Sequence, residues 1–122
     1  MNRDEFFGIL HELAEKTRQE LESSFTESNV LAIRQLVKEF LVDCELPNEF
    51  TASSFADIVT TLRENERAWS RKLGEIIIIV EDKMRVGDKT EAIDTLGRYV
   101  DQCPWLSLRE IAKIEQENFR RD

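Results

Sequence analysis

The side chain best suited to proton transfer near neutral pH is the single histidine, His11, placed between Leu10 and Glu12. As a general base it would need a nucleophile and an orienting partner, and no second histidine offers a metal or proton relay. No Gly-rich phosphate loop, HExxH or GxSxG occurs anywhere in the 122 residues. A di-iron bundle is excluded because it requires paired Glu-x-x-His motifs. His11 therefore reads as a surface or boundary residue.

Cys44 and Cys103 are far apart and in no CxxC arrangement. Reduced thiols are the expectation, rather than a disulfide or a zinc site. Carboxylates alone could bind a hard cation, but no Asp/Asn/Gly calcium loop is present and a solvated surface explains them more simply. The expectation is a protein without catalytic residues, metal or cofactor.

Charge is more informative than motif. The chain has a formal net charge of -8, and its distribution is uneven. Residues 1–66 hold 14 Asp and Glu against 6 Lys and Arg, whereas residues 67–122 hold 11 of each. The whole excess lies before Arg67. On a helix at 100° per residue, Asp4, Glu12, Glu15 and Glu22 fall opposite Phe6, Leu10, Leu13 and Leu21, forming an outward acidic stripe. Asp43, Glu45 and Glu49 crowd the turn after the second helix and add to the same sign of potential if that turn lies nearby. Such a field repels nucleic acid and anionic membrane and speeds encounter with a basic protein. These seven carboxylates are the candidate partner-binding residues.

The elements that must position them are helical. With 41% hydrophobic and 34% charged residues, 122 positions suit one domain that folds without disulfides. Phe6, Leu10, Leu13, Thr17 and Leu21 predict a helix from about Arg3 to about Ser23. Ser28 is the expected cap of a second, which carries Val30, Ile33, Val37, Phe40 and Leu41 inward and ends near Cys44, before Pro47. Thr51 or Ser53 caps a third, with Phe55, Ile58, Val59 and Leu62 inward.

A break is expected in the polar stretch 63–67. The fourth element carries Trp69, Leu73, Ile76, Ile77, Val80 and Met84 on one side, with Ile78 and Ile79 making it apolar nearly all round, as a central helix would be. A strand at Ile76 to Val80 is the rival, but no second β-like run exists to pair with it. Gly87-Asp88 ends that helix and caps the next, with Glu91 placed to complete a capping box and Ala92, Ile93, Leu96 and Val100 inward. Ser107 with Glu110 opens the last helix, which buries Leu108, Ile111, Ala112 and Phe119. Trp105, between them, reads first as a core plug and second as an interface anchor, and so does Trp69. No internal repeat recurs. The fold class is all-α, a single globular bundle of five to six helices over residues 1–122, with a central apolar helix around 68–86.

The acidic start at Met1 to Glu5 is unlike a signal peptide, and the five-residue run Ile76 to Val80 is far too short to span a bilayer, so the cytoplasm is the expected location. Small size, helical plan, absent active site and the acidic residues Asp4, Glu12, Glu15 and Glu22 together resemble the bacterial immunity proteins that neutralise cognate toxins, including those of contact-dependent growth inhibition. That resemblance implies inhibition of a basic toxin domain, usually a nuclease, by a monomer or weak dimer. The alternative is a structural or regulatory helical interaction domain, a homodimeric adaptor whose exposed surface would be apolar rather than acidic.

Overall fold

Polar side chains that close helix ends set the boundaries in the computed structural model, which describes residues 2–121. Met1 and Asp122, the last residue of the charged C-terminal end, lie outside that range. Six helices follow: α1 (Arg3–Ala14), α2 (Arg18–Ser23), α3 (Glu27–Phe40), α4 (Ala52–Arg85), α5 (Lys89–Gln102) and α6 (Leu106–Arg121). No strand occurs among the described residues, so the all-α class holds and the helical reading of Ile76 to Val80 prevails. The chain divides into two compact units, residues 1–66 and 67–122, and α4 contributes to both.

In the first unit, the expected helix from Arg3 to Ser23 is two helices. Asn2 caps α1, its Oδ1 accepting from the Glu5 N–H at 2.9 Å. The chain leaves α1 at Glu15 and restarts at Thr17, which closes a capping box: the Thr17 hydroxyl accepts from Glu20 N–H at 3.2 Å, and the Glu20 carboxylate accepts from Thr17 N–H at 3.0 Å. Thr17, expected on the inner stripe, is instead exposed, because its hydroxyl is more useful at a cap than in a core. The Thr17 N–H first, and the Thr17 side chain second, stabilise the charged Glu20 carboxylate and hold it below its ordinary value.

Thr26, not Ser28, caps α3, and α3 ends at Phe40 rather than near Cys44. Leu41 is already extended, and Asp43 adopts a left-handed φ of 56° that a helix cannot continue through. α1 packs on α3, with Phe40 against Phe6 and Phe7 at ring separations of 6.0 and 5.7 Å. Leu10, Leu13, Leu21, Ile33, Leu36 and Val37 are buried, as are Phe55, Val59 and Leu62 of α4. Arg18 ties α2 to α4 through Asp57 at 2.6 Å and Ser53 Oγ at 2.9 Å. Thr51 does cap α4: its hydroxyl accepts from Ser54 N–H at 3.0 Å.

No break interrupts α4 at 63–67; it runs through 34 residues. Nothing there removes a backbone donor or demands a special dihedral, so polarity alone leaves the helix intact. The polar stretch instead marks where the two units divide, between Glu66 and Arg67.

In the second unit, Leu73 and Val80 of α4 are buried, as are Ala92, Leu96, Tyr99, Cys103, Trp105 and Ala112. Ile78 and Ile79 are not: they are 62% and 47% exposed, so this part of α4 buries one side rather than all of its circumference. Gly87 takes the left-handed φ of 86° expected of it, and Asp88 caps α5 by accepting from Glu91 N–H. The Glu91 carboxylate does not return to the cap; Arg98 holds it at 3.0 Å. α6 begins at Leu106, one residue before the expected Ser107 cap, and Ile111 is exposed rather than buried. α5 packs closely on α6: an added Cβ at Gly97 would meet Gln116 Nε2 at 3.3 Å, and the Gln116 amide donates to the Ile93 carbonyl at 3.0 Å.

Candidate functional site

The carboxylates singled out by charge all belong to the first unit. Asp4, in the first turn of α1, has a side chain 91% exposed and lies 3.9 Å from Arg3 Nε. Glu12 is exposed on α1, and Glu15 is exposed as its C-cap. Glu22 is on α2, half-buried, with Arg18 Nε 3.4 Å away. Asp43, Glu45 and Glu49 are exposed in the connector between α3 and α4.

The break at 15–17 changes the geometry of the stripe. Asp4 and Glu12 share one helix, Glu15 closes it, and Glu22 stands on another with its charge engaged by Arg18. Among the described residues, the carboxylates of Glu12, Glu15, Asp43, Glu45 and Glu49 make no ion pair or hydrogen bond. An exposed carboxylate without a partner has no internal contact to give up when a cation arrives, whereas Glu22 must leave Arg18. Of the seven carboxylates singled out, those five therefore carry their charge without an internal partner among the described residues.

The division of the chain and the division of charge coincide. The unit of residues 1–66 contains the entire excess of -8, and the unit of residues 67–122 has as many bases as acids. A compact body concentrates potential more than an extended segment of the same charge does.

His11 sits in a polar cluster of the same unit. Its Nε2 lies 2.8 Å from Glu66 Oε1 and 3.0 Å from Arg63 Nη1, and Arg63 donates to Glu66 at 2.6 Å. No hydroxyl or thiol is among the partners of His11, so the arrangement is a packed ion pair rather than an activated nucleophile. Both cysteines are free thiols; partial burial pushes the Cys44 thiol up, and Cys103 is fully buried. Among the described residues, no three His, Cys, Asp or Glu side chains gather as a metal-binding group, and no helix is long and apolar enough to cross a membrane.

Sequence reasoning missed two apolar residues on the acidic unit, Phe25 and Leu31, which are 36% and 60% exposed. Leu31 was detectable, since it lies about 200° around the helix from Ile33, off the buried stripe. Trp105 is fully buried, which makes it core. Trp69 is half-buried, with its ring 5.6 Å from that of Tyr99 and the Lys72 ammonium 4.8 Å above it. The chain matches no family model, no curated protein sequence and no solved structure.

Proposed function

We propose that this chain is a protein-binding inhibitor of the small all-helical immunity type, which neutralises a basic cognate toxin, a nuclease in the first instance, inside the cell that makes both. The observation that supports this reading is the confinement of all the net charge, -8, to one compact unit whose exposed carboxylates are largely unpaired among the described residues. A nuclease presents lysines and arginines to phosphates, and the same cations would meet Glu12, Glu15, Asp43, Glu45 and Glu49. Inhibition follows by occlusion, with no chemistry required of the inhibitor. Phe25 and Leu31 supply apolar contact of the kind that carries most of the affinity in such interfaces. The test is protection: the proposal expects the adjacent reading frame to encode a toxin domain, and co-expression with that domain to restore growth of a sensitive host. Failure to protect against that domain would contradict the proposal.

A second reading, a homodimeric adaptor, is favoured by a different observation. Five of the seven large hydrophobics exposed among the described residues, Ile78, Ile79, Val86, Ile111 and Ile114, lie in the electrically balanced unit. Light scattering separates the two readings, because a stable dimer lost on Ile78→Asp would favour the adaptor.

A further inference from the structure

Where α1 packs on α3, the two helices leave an open groove of about 410 Å³. Phe6 and Ala32, both buried, form its floor, and Ile9 and Leu31 form its walls. Ser28, Asn29 and Gln35 complete the lining, so no charged side chain lines it. Leu31 is held 60% exposed on the rim, an apolar side chain that gains free energy only when something covers it.

The surroundings of the groove define what could cover it. Helical spacing places Glu5 and Glu12 one turn either side of Ile9 on α1, and Glu27 one turn before Leu31 on α3. All three are exposed, and none of their carboxylates is paired among the described residues. Of the bases on α3, Arg34 is committed elsewhere, donating to the Asn48 carbonyl at 2.8 Å and stacking 4.3 Å from the Phe50 ring centroid. Lys38 lies two turns beyond Leu31, past Gln35 at one end of the groove, and Arg3 lies one turn before Phe6. The combination is an uncharged slot with apolar floor and walls and with carboxylates beside Ile9 and Leu31, the complement of an apolar side chain flanked by cations.

We infer that this groove seats an apolar anchor of the basic partner, with the lysines or arginines beside that anchor lying over Glu5, Glu12 and Glu27. The inference rests on the reading of the chain as a binder of basic proteins, and it assigns the two contributions to different steps. The dispersed carboxylates accelerate encounter, and the groove slows departure.

The probe is a short amidated helical peptide with leucines at i and i+4 on one face and lysines elsewhere, titrated into the ¹⁵N-labelled chain at low salt. Two controls accompany it, one with the leucines changed to alanine and one with the lysines changed to glutamate. The expected result is amide shifts concentrated at residues 5–12 and 27–35. Affinity should fall at least about tenfold with the alanine peptide, and equally for Leu31→Asp, whose side chain is exposed enough for the fold to tolerate the change. Shifts centred on 43–49, or spread over the acidic surface and indifferent to both leucine replacement and Leu31→Asp, would overturn the groove while leaving the basic-partner reading standing. Absence of binding by any lysine peptide would overturn both.

Discussion

His11 Nε2 lies 2.8 Å from Glu66 Oε1, joining α1 to the last α4 residue of the first unit across 55 positions of sequence. Glu66 is the hub, since Arg63 also donates to it, and its side chain is only 14% exposed. The contact between Arg63 and His11 needs the lone pair of Nε2, whereas that between His11 and Glu66 needs a hydrogen on it, so Glu66 and Arg63 compete for the imidazole. Replacing Glu66 with Ala leaves the half-buried Arg63 guanidinium with only the neutral His11 Nε2 lone pair in place of a carboxylate and should destabilise the fold by about 1–2 kcal/mol. His11→Ala, which leaves the Arg63 pair with Glu66 intact, should cost less than about 1 kcal/mol. Urea denaturation of the two variants measures the order, and equal losses would contradict this account of the cluster.

Tyr99 is the only tyrosine, nearly fully buried, and its hydroxyl donates to the Trp69 carbonyl at 2.8 Å. Burial, reinforced by hydrogen bonding with Cys103, raises its ionisation above the ordinary value of 10.0. The proton is therefore held more tightly in the folded state. The stabilisation is complete below about pH 10 and is lost as pH rises beyond it, because the unfolded chain ionises first. Absorbance at the tyrosinate band should show no ionisation ahead of alkaline unfolding. Tyr99→Phe should lose about 1 kcal/mol at neutral pH and show a shallower alkaline decline. Early, reversible ionisation in the folded protein would contradict the buried hydrogen bond.

The Thr17 and Glu20 capping box makes an acid-side prediction. The Glu20 carboxyl is held below its ordinary value of 4.5, so the stability it contributes is present above that pH and is lost as pH falls through the lowered value. Glu20→Gln should lower the thermal midpoint at pH 7 and reduce the acid-induced loss between neutral pH and pH 3. Thr17→Ala should be the more damaging change, because it also removes the acceptor for Glu20 N–H and joins α1 to α2 without a cap. A Thr17→Ala protein as stable as the parent would show that the break between these helices is set by packing alone.

Apolar spacing made the helical class legible, and half of the inner-stripe residues, from Leu10 and Ile33 to Val80 and Leu96, are buried, with nearly all the others half-buried. What it could not show was competition among local polar groups. Thr17 fits the stripe and a cap equally well on paper, and only the position of Glu20 three residues later favours the cap. The isoleucine run misled in the opposite direction: composition gives hydrophobicity but not the number of neighbours, so Ile78 and Ile79 remain in water. The charge boundary was legible to the residue, before Arg67, and coincides with the packing boundary. The α1 and α3 groove was not, because it depends on how Ile9 and Leu31 are brought together by tertiary packing.

The central claim is that the carboxylates of residues 1–66 attract a basic protein. Its most direct test is the stopped-flow association rate with the proposed partner, a basic nuclease domain that co-purifies with this chain, measured from low to high ionic strength. The wild-type rate should fall by at least about tenfold across that range, and Glu12→Lys with Glu15→Lys should lower the low-salt rate by a similar factor while leaving the helical circular dichroism unchanged. A rate that is independent of salt and indifferent to both reversals would contradict the account.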